Sequence, residues 1–296
     1  MAGLTRVLVE RHALGRADAY DAALLDVAQD HLLFLLAETG HFDDGRLVFK
    51  GGTSLRKCRL GNDGRFSTDL DFAAPDEDKV IETCGLIDGA RVAGFEFHLD
   101  SDRGDGRHWL LRVGHPELGS PYIAATVEFA RRPLALPAEP LGFVPLPVHK
   151  GYEFALPVVP VVAEAEACAE KLARYRRIAL GRDLYDLNHF AGRFVNEALV
   201  RRLWVLKVWG DVVDDRRGTR PLDPSDVLRA RRERDLQPDS IGVLTRPVDL
   251  EGWEARVRNR FQFLTDLDED EIRWAACDER HRREVDAALA ELGEGG

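Results

Sequence analysis

Residues 50–72 read Lys50-Gly51-Gly52-Thr53-Ser54-Leu55-Arg56-Lys57-Cys58-Arg59-Leu60-Gly61-Asn62-Asp63-Gly64-Arg65-Phe66-Ser67-Thr68-Asp69-Leu70-Asp71-Phe72. The apolar run Leu47-Val48-Phe49 just before them predicts a buried strand. Two glycines after a strand let the backbone come close to a ligand. Thr53 and Ser54 then open a helix, and the first N–H groups of a helix are free to meet phosphate. A Gly/Asn/Asp-rich loop follows at 61–64. From Ser67 to Ala73 polar and apolar residues alternate, which predicts a half-buried strand. Asp69 and Asp71, at i and i+2, then point to one face. Two neighbouring carboxylates repel each other unless a cation sits between them. Hard oxygen ligands of this kind suit Mg²⁺ (or Mn²⁺) completed by substrate phosphates. Together the residues describe a triphosphate cradle at Lys50, Gly51, Gly52, Thr53 and Ser54 beside a metal pair at Asp69 and Asp71. A DxD alone is a weak signal, and Asp266-Leu267-Asp268 supplies a decoy. No Gly-Gly turn precedes that second copy, and its acidic run reads as a loop and the start of a helix.

Outward from this stretch, residues 17–39 predict an amphipathic helix with Leu24, Leu25, Ala28, Leu32 and Leu35 on one face, and Gly40 as its stop. The glycine turn opens a second helix near Leu55 to Leu60, and residues 76–92 resemble a helix. Three more strands are expected at Phe95 to Leu99, Trp109 to Val113 and Ile123 to Phe129. The order predicts an α/β (α+β) unit, a mixed sheet with flanking helices. Residues 133–160 hold seven prolines, too many for a helix or a central strand, so a connector is expected there. Beyond it the pattern turns helical at 162–180, 182–192, 194–209, 224–235, 250–264 and 269–292. Residues 1–150 are read as the α/β domain and 151–296 as a mostly helical lobe that completes the site.

Hydrophobic residues at 45% and charged residues at 31% fit a globular chain with a sizeable core, which excludes a disordered one. A net charge of −11 argues against a broadly basic surface but leaves room for a local basic groove. Arg174, Arg176, Arg177 and Arg182 form one such group, either a grip for a phosphate backbone or a solvated helix face. Arg229, Arg231, Arg232 and Arg234 read as a solvated face. Four scattered cysteines show no metal-ligand spacing, as in a reducing cytosol. No signal sequence opens the chain, and its apolar runs are too short to cross a bilayer. A cytoplasmic location with no membrane partner is expected.

Downstream, Glu170-Lys171-Leu172-Ala173-Arg174 and Arg182-Asp183-Leu184-Tyr185-Asp186-Leu187 form a second constellation. Lys171 sits near the end of an Ala/Glu-rich helix, where its stem packs and its ammonium reaches for a phosphate. Asp183 and Asp186, three apart, share a helix face. Either is equally read as an ordinary salt-bridge partner, and Lys171 as an exposed lysine.

The segment 50–72 together with this Lys and Arg-Asp-x-x-Asp-Leu block resembles the AbiEii-type nucleotidyltransferase toxins. These are the toxin halves of type IV toxin–antitoxin pairs, which include the Men toxins of mycobacteria, within the DNA polymerase β-like superfamily. Sixteen residues separate Gly52 from Asp69, longer than the general superfamily spacing but similar to this branch. The resemblance runs from about residue 20 to about residue 210. It implies a polymerase β-like nucleotidyltransferase fold, NTP as substrate, and catalytic roles for Asp69, Asp71, Lys171 and Asp186. It implies a third metal carboxylate, for which Glu128 on the 123–129 strand is the candidate, although Glu128 reads equally as a surface residue; Arg131 and Arg132 would border the site. It implies transfer of NMP to RNA, in particular the tRNA 3′ end, which would block translation, with Arg174, Arg177 and Arg182 as RNA contacts. It implies a cognate antitoxin encoded nearby and, at Ser67, a position for regulatory phosphorylation; Ser67 as a plain strand residue is the other reading. Two rivals stand beside it: nucleotidylation of a protein or small-molecule hydroxyl, and a nucleotide-binding regulator without turnover. His31 and His189 are read as structural or exposed, and Trp204 and Trp209 as helix packing. The common requirement is that the glycine turn and the acidic pair meet in space.

Overall fold

The computed structural model describes residues 3–102, 104–119, 122–193, 196–236, 241–244 and 246–294. The chain forms two compact units, one of Met1–Pro133, Ala138–Val162 and Val243–Arg246, the other of Leu134–Pro137, Ala163–Gly242 and Pro247–Gly296.

The first unit contains α1 (Arg6–His12), α2 (Tyr20–Glu38), β1 (Val48–Lys50), α3 (Gly51–Leu55), β2 (Asp69–Ala73), α4 (Glu77–Ile87), β3 (Arg91–Val92), β4 (Phe95–Asp102), β5 (His108–Gly114), β6 (Ile123–Ala130), β7 (Glu139–Gly142) and β8 (Val158–Val161). Its eight-stranded sheet has the order β3-β4-β5-β6-β2-β1-β8-β7. β2 runs antiparallel to β1 and parallel to β6, so the sheet is mixed. The two-residue period of β2 decides which side is core: Leu70 and Phe72 are fully buried, and Phe72 stacks on Phe129 at 5.7 Å and meets Phe49 at a tilt at 5.7 Å. A one-residue slip would push these rings into water. Asp76 caps α4, its carboxylate accepting from the Lys79 N–H at 2.8 Å, and Gly89 at φ 81° turns the chain into β3.

The helix expected over 76–92 ends at Ile87, before β3, and two larger corrections concern this unit. α2 does not carry a solvated polar face: Asp26, Gln29, Asp30 and His31 are all buried, while Leu35 is only partly so. The reason is a charged cluster supplied by the helix that follows the glycine turn. α3 continues as a π turn, Arg56–Leu60. There Arg56 Nε donates to Asp26 Oδ1 at 3.0 Å, and Lys57 Nζ donates to the Asp26 carbonyl at 2.7 Å and to Asp30 Oδ1 at 2.7 Å. Tyr152 Oη donates to Asp30 Oδ2 at 2.6 Å, and His12 Nε2 lies 2.7 Å from Asp26 Oδ2. Burial pushes both carboxyls up, but Arg56 and Lys57 at Asp26, and Lys57 at Asp30, override it. Asp26 is held well below the usual carboxylate range and Asp30 below it. The second correction concerns 133–160, which provides two strands rather than a bare connector. β8 even lies inside the sheet, between β1 and β7. Pro140 faces Pro160 in the β7–β8 register, a pairing that exchanges no N–H bond at that rung and so tolerates both prolines.

The second unit is helical: α5 (Glu164–Arg177), α6 (Gly181–Ala191), α7 (Glu197–Val213), α8 (Ser225–Leu228), α9 (Leu250–Arg260), α10 (Glu269–Ala275) and α11 (Arg282–Glu294). The helix expected over 224–235 is only the single turn of α8 followed by a 3₁₀ turn at Glu233–Asp235. The helix expected over 269–292 breaks at Cys277, which takes φ 50°, and Asp278 then caps a new turn by accepting from the Arg280 N–H. Trp204 and Trp209 are buried, as expected of packing residues. Among the described residues no helix is long and apolar enough to cross a membrane.

Asp26→Asn leaves Arg56 and Lys57 with one buried carboxylate between them, and is expected to lower the unfolding free energy at pH 7 by about 3–5 kcal/mol, read by urea denaturation. Because the Asp26 and Asp30 carboxyls are depressed in the fold, their stabilisation is present above the unfolded value of 3.8 and is lost as pH falls through the lower folded values. Acid titration followed by circular dichroism should show that loss, and a smaller acid dependence in Asp26→Asn.

Candidate active site

The β2 face opposite Leu70 and Phe72 carries Asp69 and Asp71, both half-buried. Strand register extends a polar row from them. Asp69 pairs with Thr126 and Asp71 with Glu128 on β6, Lys50 on β1 lies across from Asp71, and His108 on β5 lies across from Glu128. Thr126 Oγ1 donates to Asp69 Oδ1 at 2.8 Å, and Thr68 Oγ1 donates to the same oxygen at 3.1 Å. His108 Nε2 lies 3.0 Å from Glu128 Oε1, and its Nδ1 lies 2.5 Å from Asp105 Oδ2. The Arg107 backbone N–H, with His108, holds the Asp105 carboxyl below its ordinary value. Neighbouring strands therefore hold Asp69 and Glu128 in place.

The glycine turn meets this row. Gly51 sits at φ 78°, and a β-carbon there would lie 2.7 Å from Asp71 Cγ. At Gly52 a β-carbon would lie 3.0 Å from Arg65 Cζ and 3.2 Å from Ser67 Oγ. One glycine is thus covered by a carboxylate and the next by a guanidinium. Thr53 Oγ1 donates to the Asp69 carbonyl at 2.5 Å, and Ser54 Oγ donates to the Gly51 carbonyl at 3.0 Å. Both side chains are fully buried. These hydroxyls tie the start of α3 to β2, and what the turn offers a ligand is glycine backbone. Ser67 is buried. Glu128 is half exposed, Arg131 donates to the Asp105 carbonyl at 3.2 Å, and Arg132 follows β6 on the same strand exit.

In the second unit Lys171 on α5 is buried, its Nζ 2.6 Å from Asp186 Oδ2 and 3.5 Å from Asp183 Oδ1 on α6. Arg174 holds Asp183 from the other side, Nε to Oδ2 at 2.8 Å. The i, i+3 spacing of the two aspartates thus delivers both to one lysine. Arg177 pairs with Asp211 at 3.1 Å. Arg176 is buried and donates to the carbonyls of Thr219 at 2.7 Å and Pro221 at 3.1 Å, which removes it from any exposed basic patch. Arg182 is half-buried on α6. His31 packs among Phe95, Tyr152 and Phe154, and burial lowers its pKa. His189 packs beside Phe190. The decoy Asp268 caps α10, accepting from the Glu271 N–H at 2.8 Å.

Four residues of this arrangement carry no sequence signal strong enough to single them out: Arg65, His108, Asp105 and Thr126. Thr126 alternates with Glu128 on one strand and shares its face, a pattern that points to it once Glu128 is considered. Arg65 lies in an irregular loop where no periodicity applies.

Residues 34–291 match the family of nucleotidyl transferase AbiEii toxins of type IV toxin–antitoxin systems. The chain belongs to that family. It is 77% identical to MenT4, a nucleotidyltransferase toxin from Mycobacterium tuberculosis H37Rv, over 98% of this chain and 100% of that one, with a TM-score of 0.95. JHP933 from Helicobacter pylori aligns at 18% identity over 88% of this chain and 97% of that one, with a TM-score of 0.43. No curated protein matches. The AbiEii match spans the glycine turn, the acidic row and the Lys171–Asp186 pair. Membership makes the chain a nucleotidyltransferase toxin with a nucleotide substrate and a cognate antitoxin.

Gly51→Ala places a methyl group against the Asp71 carboxylate at a left-handed backbone position. It is expected to cost at least about 1–2 kcal/mol of stability from the backbone alone. Gly85→Ala, in α4 with open space around it, is expected to stabilise by about 0.5–1 kcal/mol. Thermal and urea melts of the two variants check both signs.

Proposed function

We propose that this chain transfers the NMP moiety of an NTP, in the presence of Mg²⁺ (or Mn²⁺), to RNA, with the tRNA 3′ end as acceptor, and so blocks translation in the cytoplasm. The observation that carries the reading is the meeting of the Gly51 backbone with Asp71 on the face that also presents Asp69. Among the described residues no group of three or more His, Cys, Asp or Glu side chains is gathered to hold a metal ion. Two carboxylates on one strand face nevertheless fit Mg²⁺, which is commonly bound by one or two carboxylates with phosphate oxygens and water completing its shell. Asp69 and Asp71 would hold the ion, with Glu128 as the third carboxylate on the neighbouring strand. When bound, the ion neutralises phosphate charge and eases ionisation of the acceptor hydroxyl.

In the reaction the acceptor oxygen bonds to the α-phosphorus, the α–β bridge bond breaks, pyrophosphate leaves, and the hydroxyl proton is released. Gly51 and Gly52 supply backbone close to the β and γ phosphates, with Thr53 and Ser54 fixing the helix start. Lys50, across from Asp71, adds positive charge at the edge of the row. Thr126 and Thr68 fix one Asp69 oxygen and so orient the other. Lys171 and Asp186 are assigned catalytic roles on the family motif, the lysine countering phosphate charge and the aspartate orienting it. Arg174, Arg177 and Arg182 are assigned to the RNA backbone; Arg174 and Arg177 already hold carboxylates, so phosphates would share or replace those partners. Ser67 is the position for control by phosphorylation. A phosphate there would stand against Gly52, where an NTP phosphate must approach, and repel it. Because Ser67 is buried, its modification would need the 64–68 segment to open.

The test is the purified protein with Mg²⁺ and each α-labelled NTP in turn, offered total tRNA and protein extract. Label is expected in tRNA, and Asp69→Asn or Asp71→Asn should reduce transfer on the order of 10²–10³-fold. Label appearing in protein would replace the acceptor with the second reading, and no transfer to any acceptor would refute the activity.

A further inference from the structure

The stretch 64–68, between the π turn and β2, is neither helix nor strand, yet it is held at almost every residue. Arg56 Nη1 donates to the Gly64 carbonyl at 2.6 Å. The Phe66 N–H donates to the Val243 carbonyl at 2.9 Å. The Arg56 guanidinium lies 3.9 Å from the centre of the Phe66 ring, with His12 edge-on to the same ring at 5.3 Å. Gln29 Nε2 donates to the carbonyls of Ser67 at 3.2 Å and Thr68 at 3.3 Å. The side chain delivered by this fixed backbone is that of Arg65, which is buried, with its guanidinium over the Cα of Gly52 and next to Ser67 Oγ.

Gly52 has an ordinary backbone conformation that any residue adopts, so its lack of a side chain is not needed for the turn. It is needed for Arg65: any β-carbon at 52 would displace the guanidinium. A planar guanidinium binds phosphate through paired charge-assisted bonds, and Arg65 stands over Gly52 at the turn where the proposed reading puts the terminal phosphates. We propose that Arg65 is a phosphate-binding residue of this site, holding the terminal phosphates of the NTP at the Gly51–Gly52 turn by charge-assisted bonds. The inference rests on the nucleotidyltransferase reading above and adds a residue and a role to it.

The variants are Arg65→Met, Arg65→Lys and Gly52→Ala. The probes are inorganic tripolyphosphate binding without metal or acceptor, by calorimetry, and steady-state transfer with Mg²⁺ and NTP. Melting curves report folding. Arg65→Met is expected to weaken tripolyphosphate at least tenfold and raise the KM for NTP by a similar factor, with a smaller effect on kcat. Arg65→Lys keeps the charge but not the fork, and should recover part of the loss. Gly52→Ala keeps Arg65 but takes its place, and should weaken tripolyphosphate too. In an Arg65→Met background Gly52→Ala should cost less than it does in the wild type, a non-additivity that a general loss of stability would not produce. If Arg65→Met fails to fold, Gly52→Ala and Arg65→Lys carry the test. Tripolyphosphate bound equally by wild type and all three folded variants, while Asp69→Asn still abolishes transfer, overturns the role of Arg65 and leaves the activity standing. Absence of both polyphosphate binding and transfer in the wild type overturns both.

Discussion

The antiparallel register of β1 on β2 puts the end of one strand against the middle of the other, so the chain leaving Lys50 must turn where the Asp71 carboxylate already stands. Only a residue without a β-carbon, at a positive φ, fits there. Gly51 is therefore less a flexible hinge than a vacancy that a carboxylate occupies. The consequence is functional as well as steric, because the first backbone of a helix and the first oxygen of an acidic pair come to share one small volume. A shift of the register by one residue would turn Asp69 and Asp71 toward the core and Leu70 and Phe72 toward water. The buried ring contacts of Phe72 with Phe49 and Phe129 oppose it.

Behind the turn, the same short helix is anchored by charge rather than by grease. Arg56 and Lys57 reach back to Asp26 and Asp30, and Tyr152 closes the cluster from the β8 side of the chain. Buried ion pairs contribute little net stability, since desolvation offsets their attraction. They do, however, fix geometry, because a charge held in low dielectric by several partners has few alternative positions. Arg56 joins the two halves of the arrangement: one edge of its guanidinium belongs to the buried cluster, and the other holds the Gly64 carbonyl and covers Phe66.

The sequence was most legible where a short period applied. The alternation in 67–73 placed Asp69 and Asp71 on one face, and the Gly-Gly pair after an apolar run placed the turn. The i, i+3 spacing of Asp183 and Asp186 placed both beside Lys171. Illegible were features that depend on a distant partner. Asp26 and Asp30 look solvent-facing in a helical wheel because the wheel contains no Lys57. The prolines of 133–160 look incompatible with a sheet because the sequence does not show that Pro140 will face Pro160. Arg65 lies in a loop, and its direction is set by Arg56, Gln29 and Val243, none of which a local pattern connects to it. The helix expected to open at Thr53 and Ser54 starts two residues earlier, at Gly51, and the two hydroxyls serve the backbone.

The charge of the sheet face supplies the last step. Asp69, Asp71 and Glu128 stand in register with Lys50 and His108, so carboxylates outnumber the fixed cationic groups of the row. An unaccompanied triphosphate would be repelled by such a surface, since like charges in a partly buried site are weakly screened. The site can accept a polyanion only if cations come with it or stand at its other flank. In the proposed reading the acidic pair recruits the first kind. In the proposal made above, the Arg65 guanidinium over Gly52 is the second. Under the proposed reaction the arrangement has a simple polarity: carboxylates beside the divalent ion and the reacting phosphorus, and Arg65 beside the phosphates that depart together.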